Sequence, residues 1–143
     1  MTVKKNWRSG VTVVRGRSLE EAMRGPAGGR ATAFDFSGSG GKSTWVGAVT
    51  NPPGAKNGTH NHGRHEVALY IVKGRSEIRW GERLEYAAEV GPGDFVYFEP
   101  HVPHRERNLS DTETVDFVVV RSDKERIVNT MDDAPVDRPE VVY

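Results

Sequence analysis

Short runs of apolar or alternating residues recur about every ten residues along this chain, and Gly, Pro, Asn and Asp separate them. The runs are residues 11–14, 31–36, 44–49, 67–72, 77–80, 84–90, 95–98 and 115–121. Short strands at regular intervals with turn residues between them are typical of a β-sandwich or a small barrel. The spacing therefore predicts an all-β fold.

Three local patterns refine this prediction. Residues 77–80 and 84–90 alternate around Gly81-Glu82-Arg83, which predicts a hairpin with one face exposed. Residues 67–72 are apolar on both faces and are expected to form a central strand. Ser18 to Glu21 fit a capping box, and Gly25-Pro26 then limits the predicted N-terminal helix to two turns.

The chain shows no internal repeat, so its 143 residues predict one domain. We expect a barrel core over roughly residues 29–121, an N-terminal extension over 1–28 and a C-terminal tail over 130–143. Residues 37–41 are predicted to form a flexible loop, and residues 132–140 are too polar for a core element.

Charge and composition restrict the class of partner. Twenty basic residues balance twenty acidic ones, so the net charge gives no reason to expect nucleic acid or a membrane as the partner, and a small molecule is favoured. No apolar run approaches the ~20 residues of a membrane span, and the first residues lack the apolar core of a secretory signal. We therefore expect a cytoplasmic protein.

All five histidines fall within residues 60–104. His60 and His62 lie on one side of an extended segment, so both imidazoles reach one ion. Glu66 offers an oxygen ligand at the start of the next strand, and His104 supplies a distant ligand. The chain has no cysteine, so these nitrogen and oxygen ligands predict one divalent metal ion, which is Fe, Mn, Zn, Ni or Cu.

Two stretches of the sequence resemble the motifs of the cupin superfamily. Gly54-x5-His60-x-His62-x3-Glu66, followed by Gly74, looks like the first cupin motif. Gly93-x5-Glu99-x-His101-x2-His104-x3-Asn108 resembles the second. The resemblance implies a small single-domain cupin, a jelly-roll barrel known as a double-stranded β-helix, with His60, His62, Glu66 and His104 as metal ligands.

The chain departs from the cupin pattern near Glu66. The family places its glutamate seven residues before the glycine that ends the strand, whereas Glu66 lies eight residues before Gly74. Counting back from Gly74 turns His65 inward and Glu66 outward, which makes His65 the rival ligand. A β-bulge restores Glu66 to the interior. The family's usual proline and glycine in the second motif are replaced by Glu99 and His101.

Other polar residues are left with two interpretations. Glu106 and Asn108 share the side of His104 in an extended segment, so they line either the cavity or a polar face at the barrel mouth. Arg121 ends the last long run and meets either an anionic substrate or a solvent-facing partner.

The resemblance implies a wide range of functions, because one fold hosts many activities. Structural zinc is usually closed by thiolates, so a site without sulfur favours a mononuclear metal-dependent enzyme that acts on a small organic molecule. We expect an oxidoreductase of dioxygenase type, in which Glu66, His101 or Glu99 transfers a proton. The alternatives are a non-catalytic metal-dependent binding or sensor protein and a non-oxidative isomerase or lyase.

The resemblance also implies a homodimer, because small cupins commonly cover their exposed edge strands by pairing. The segment around Trp7 and residues 11–14 is the candidate contact.

Overall fold

The computed structural model describes residues 8, 15–34, 44–122, 125–132 and 134–143. Trp7, the run at residues 11–14 and the loop at residues 37–41 lie outside the described residues. The homodimer contact expected around them stays a prediction.

Within the described residues, strands make up nearly all of the regular structure. They are β1 (Gly29–Phe34), β2 (Trp45–Asn51), β3 (His60–Asn61), β4 (Val67–Lys73), β5 (Ser76–Trp80), β6 (Tyr86–Val90), β7 (Phe95–Phe98), β8 (His104–Asn108), β9 (Val115–Arg121), β10 (Asn129–Thr130) and β11 (Glu140–Val141). One sheet has the order β1-β2-β9-β4-β7 and the other the order β10-β3-β8-β5-β6-β11. The prediction of an all-β fold is confirmed.

The core lies between the two sheets and is built from alternate residues of the strands. Along β2, β4 and β9, buried residues alternate with more exposed ones, as the two-residue repeat of a strand requires. The buried cluster consists of Trp45, Val49, Val67, Leu69, Ile71, Ile78, Val90, Phe98, Val115, Phe117 and Val119. Each large apolar side chain buried in this way contributes about 1.5–3 kcal/mol to stability.

Most of the predicted strands are present. The hairpin expected around Gly81 is formed by β5 and β6, and β4 is a central strand between β9 and β7, as its apolar sequence predicted. The predicted bounds 95–98 and 115–121 match β7 and β9. The strands that the pattern of runs missed are short or polar, namely β3, β8, β10 and β11.

The N-terminal helix lies within the expected limit of two turns, but its capping box does not form. A 3-10 helix at Gly16–Ser18 leads into α1 (Glu20–Met23). The Ser18 hydroxyl donates a hydrogen bond of 2.6 Å to the Arg15 carbonyl oxygen instead of capping α1, and Leu19 occupies the N-cap. The capping box was therefore a wrong prediction, because the 3-10 turn moves the start of α1 two residues past Ser18.

Gly74 ends β4 with a φ of 84°, which favours glycine. A β-carbon at this position would overlap the carbonyl oxygen of Thr114, so no other residue fits without a shift of the backbone. The glycine of the first motif is therefore explained by the close approach of the backbone at the start of β9, the antiparallel neighbour of β4. Across the described residues, no helix has the length and apolar character needed to cross a bilayer.

Candidate metal centre

Three histidines from two paired strands converge at one point between the sheets. His60 lies in β3 opposite His104 in β8, and His62 follows β3 directly. The ring centroids are 4.5 Å apart for His60 and His104, 4.9 Å for His60 and His62, and 5.0 Å for His62 and His104. One ligand nitrogen from each ring lies within 4.8 Å of the other two, so the three histidines could hold a metal ion.

Backbone carbonyl groups fix the orientation of all three rings. The Nδ1 atoms of His60, His62 and His104 lie 2.8, 2.9 and 3.0 Å from the carbonyl oxygens of Gly58, Ile127 and Val102. A carbonyl oxygen only accepts, so each Nδ1 carries the proton and donates it. Each Nε2 atom therefore keeps its lone pair, which is the arrangement that a metal-binding histidine needs.

Burial favours the neutral form of His62 and His104. His104 is only 1% exposed, and its ring stacks on Phe98 with a centroid distance of 4.1 Å. Burial lowers the pKa of His104 to about 3, against the opposing effect of its hydrogen bond to Val102. Burial also lowers the pKa of His62. Neutral imidazoles are the form that binds a metal.

The donor set fits a divalent transition-metal ion. The Nε2 atom of His104 is buried without a hydrogen-bond partner in the described part of the chain, which is costly for a polar atom unless a ligand satisfies it. A metal ion at the meeting point of the three rings would satisfy it. Nitrogen ligands without sulfur suit Fe, Mn, Zn, Ni or Cu, and this set does not distinguish between them.

Glu66 does not join the three histidines. Val67, Leu69 and Ile71 all face the core, so alternation turns Glu66 outward, where it is exposed and accepts a 2.7 Å hydrogen bond from the Tyr97 hydroxyl. The register irregularity in β4 falls between Ile71 and Lys73, so it does not interrupt the alternation of side chains from Glu66 to Ile71. The expected inward orientation of Glu66 is therefore wrong.

His65 faces inward, as counting back from Gly74 required. It is 1% exposed, and neither ring nitrogen has a hydrogen-bond partner among the described residues. Its nitrogens nevertheless lie outside the group in which the ligand atoms of the other three histidines are brought together. The rival role of His65 as a metal ligand stays a prediction.

His101 and Glu99, predicted to transfer protons, do not line the cavity that contains His60 and His62. His101 is exposed in the turn between β7 and β8, with a φ of 67°, and its backbone N–H donates to the Gly63 carbonyl oxygen at 2.7 Å. Glu99 follows the buried Phe98 and points outward into a different cavity, beside Trp80 and Tyr143.

A cavity of about 250 Å³ extends from the histidines and contains charged residues that the motif pattern did not assign. Glu106 lies in it, and burial raises its pKa to about 7 against the opposing effect of Arg30. Arg30, Arg121 and Arg126 line the same cavity. The shared side of Glu106 and His104 in β8 was the one sequence signal for this carboxyl group.

Asn108, the last residue of the second motif, has a structural role. It is 3% exposed, and its Nδ2 atom donates to the carbonyl oxygens of Pro52 and Glu113 at 3.0 and 2.8 Å. Its Oδ1 atom accepts from the backbone N–H of Ser110 at 2.9 Å. Asn108 therefore ties the turn after β8 to the loop after β2 and is not free to bind a ligand.

Comparison with solved structures finds the same fold in other proteins. The polyketide cyclase RemF from Streptomyces resistomycificus superimposes with a TM-score of 0.63 at 19% identity, over 74% of this chain and 72% of that one. A protein from Klebsiella pneumoniae with a double-stranded β-helix domain superimposes with a TM-score of 0.64 at 18% identity, over 80% of this chain and 95% of that one. These likenesses establish the double-stranded β-helix fold.

A deletion mutant of the oxalate decarboxylase OxdC from Bacillus subtilis is also similar. It superimposes with a TM-score of 0.64 at 21% identity, over 79% of this chain but only 31% of that one. No curated protein matches the sequence. The family model described as "Cupin domain" matches residues 47–121, which is just over half of the 143 residues and includes all three converging histidines. The chain therefore belongs to the cupin domain family.

Proposed function

We propose that this cupin is a mononuclear metal-dependent enzyme that acts on a small organic molecule at an ion held by His60, His62 and His104. The convergence of three imidazoles, each oriented by a backbone carbonyl group, is the observation that carries the proposal. Such orientation is typical of functional metal sites, because it fixes the tautomer before the ion arrives.

Three protein ligands leave coordination positions for a substrate, which is what distinguishes catalytic from structural sites. When bound, the ion would supply Lewis acidity or oxygen activation to a molecule in the cavity that His60 and His62 line. The side chains of the protein enclose the candidate metal centre. The stacking of Phe98 on His104 and the apolar side chains of Val67 and Leu69 exclude water from one side of the centre.

Glu106 replaces Glu66, His101 and Glu99 as the proton-transfer group of this proposal. It lines the same cavity as His60 and His62, and its pKa of about 7 lets it hold or release a proton at neutral pH. A carboxyl group with a raised pKa in a cavity is typical of general acid–base residues.

The reaction type is the finer part of the proposal. A dioxygenase is the first candidate, because a donor set of nitrogen atoms suits Fe(II) and leaves positions for both oxygen and substrate. A non-oxidative reaction is the second. It is favoured by the names of two proteins of the same fold, a polyketide cyclase and an oxalate decarboxylase, neither of which is called a dioxygenase.

Oxygen uptake and product formation distinguish the two candidates. The protein loaded with Fe(II), Mn(II) or Zn(II) would be incubated with catechols, β-diketones and 2-hydroxy acids, and both oxygen and substrate would be followed. A dioxygenase consumes both in equal amounts, whereas a lyase or isomerase converts substrate without oxygen. The Glu106→Gln variant should retain the metal and lose most turnover. Substrate binding without turnover for every metal would contradict the enzyme proposal and indicate a binding protein.

A further inference from the structure

Three arginines from separate parts of the chain line the cavity beside the histidines. Arg30 lies in β1, Arg121 ends β9, and Arg126 lies in the segment that follows. Arg121 is 6% exposed, whereas Arg30 and Arg126 are exposed at the cavity edge. All three line the same cavity as His60 and His62, which places them beside the candidate metal centre.

Basic side chains outnumber acidic ones among the described residues that line this cavity. Arg30, Arg121 and Arg126 line it together with one acidic residue, Glu106. Partial burial lowers the pKa of Arg30, and the positive charges of Arg126 and Arg121 lower this pKa further. Like charges held together cost free energy, and a bound anion relieves that cost.

Trp45 orients two of these guanidinium groups. The Cζ atom of Arg121 lies 4.5 Å from the centre of the indole ring, and that of Arg30 lies 5.8 Å from the same ring. These distances are within the range of a cation–π interaction. Trp45 is itself buried and lies opposite Arg121 in the pairing of β2 with β9. Two planar donors are thereby held in position at the cavity, which lowers the entropic cost of binding an anion.

Much of the remaining wall of the cavity is apolar, although Asn51, Asn57 and Thr130 also line it, and its volume is small. The apolar side chains that line it are Val49, Val67, Leu69, Phe117, Val119 and Val128. The volume of about 250 Å³ is below the range of about 300–1,000 Å³ typical of sites for drug-sized ligands. The ligand that fits such a wall has a short apolar body and one charged end.

We propose that this cavity binds a small organic carboxylate, with its carboxylate group held by Arg30, Arg121 and Arg126 and its apolar body between the valines and Phe117. Guanidinium groups match a carboxylate by paired, charge-assisted hydrogen bonds, which accounts for arginine at all three positions. The carboxylate site deepens the proposed function and rests on it only for the claim that the bound acid is a substrate.

Calorimetric titration of the metal-free and the Zn(II)-loaded protein tests the carboxylate site. The probes are isobutyrate, its neutral isostere isobutyramide, and inorganic phosphate. Isobutyrate should bind about tenfold more tightly than isobutyramide, because charge-assisted hydrogen bonds are roughly twice as strong as neutral ones. The Arg30→Gln and Arg126→Gln variants change exposed residues and should each weaken isobutyrate binding several-fold. The matched control is Arg75→Gln, which removes an exposed arginine paired with Glu89 outside this cavity.

Equal affinity for isobutyrate and its amide, no binding of either, or unchanged affinity in both arginine variants would overturn the carboxylate site. Phosphate binding that is tighter than isobutyrate binding and depends on Arg30 would overturn the choice of a carboxylate. Zinc content measured in the same samples separates the two proposals. If the wild-type protein holds zinc but does not bind isobutyrate, the carboxylate site alone is contradicted. Absence of zinc from the wild-type protein, with isobutyrate binding intact, contradicts the metal centre alone.

Discussion

His60 and His104 lie directly opposite each other in the antiparallel pairing of β3 with β8, with their ring centroids 4.5 Å apart. Residues opposite each other in such a pair project to the same face, so the pairing brings two ligands 44 positions apart in sequence to one point. His62 reaches the same point because side chains two residues apart share a side of an extended chain. The candidate metal centre thus follows from a single strand pairing.

The outward orientation of Glu66 gives a first prediction. The Glu66→Gln variant should retain the metal content of the wild type, because the carboxylate is exposed and bonded to Tyr97 rather than directed at the histidines. Metal analysis after dialysis measures this, and Tyr97→Phe serves as the control for loss of the same hydrogen bond. Loss of the ion in Glu66→Gln but not in Tyr97→Phe would show that Glu66 turns inward.

The buried His104 gives a prediction for the pH dependence of stability in metal-free protein. Its pKa is lowered from 6.5 to about 3, so between these values the unfolded chain binds a proton that the folded chain does not. The free energy of unfolding should therefore fall by a few kcal/mol as the pH decreases from about 6.5 towards 3.

Urea denaturation of chelator-treated protein across this pH range measures the effect of His104. The His104→Gln variant should show a weaker pH dependence, whereas His101→Gln, which changes an exposed ring, should behave as the wild type. Identical pH dependence in the wild type and His104→Gln would contradict the buried, neutral state of this ring.

Glu106 has the opposite pH dependence. Its pKa is raised from 4.5 to about 7, so the folded chain binds the extra proton in this interval and stability decreases as the pH rises through it. Glu106→Gln should remove that decrease, which makes the variant more stable than the wild type at pH 8 by on the order of 2 kcal/mol. Urea denaturation at pH 5 and pH 8 checks the prediction. A variant less stable than the wild type at pH 8 would show that the pairing with Arg30 outweighs the cost of burial.

Replacement of Asn108, which holds the turn after β8, should lower stability strongly without changing metal binding. Asn108→Ala leaves the carbonyl groups of Pro52 and Glu113 without their donor, which should cost about 2–4 kcal/mol of the free energy of unfolding. Thermal denaturation measures the cost, and Arg107→Ala at the neighbouring exposed position is the control. Metal content per folded chain should be unchanged in Asn108→Ala, since its side chain contacts the loops and not the histidines.

The sequence was sufficient to predict the fold class and to identify three histidines that converge in the structure, because both depend on local regularities. Short runs with turn residues predict strands, and the spacing of His60, His62 and His104 reproduces known motifs. The direction of Glu66 could not be predicted, because it depends on where β4 takes up its irregularity, and only the strand pairing decides that. Arg30 and Arg126 lack any motif, since tertiary packing alone brings β1 and the segment after β9 to the cavity.

The stoichiometry of metal binding tests the central claim most directly. Elemental analysis of the wild type, His104→Ala and the matched control His101→Ala, each loaded with Zn(II) and then dialysed, compares a buried inward ring with an exposed one three residues away. The three-histidine centre predicts about one ion per chain in the wild type and His101→Ala, and almost none in His104→Ala. An ion retained in full by His104→Ala, or absent from the wild type under every loading condition, would contradict it.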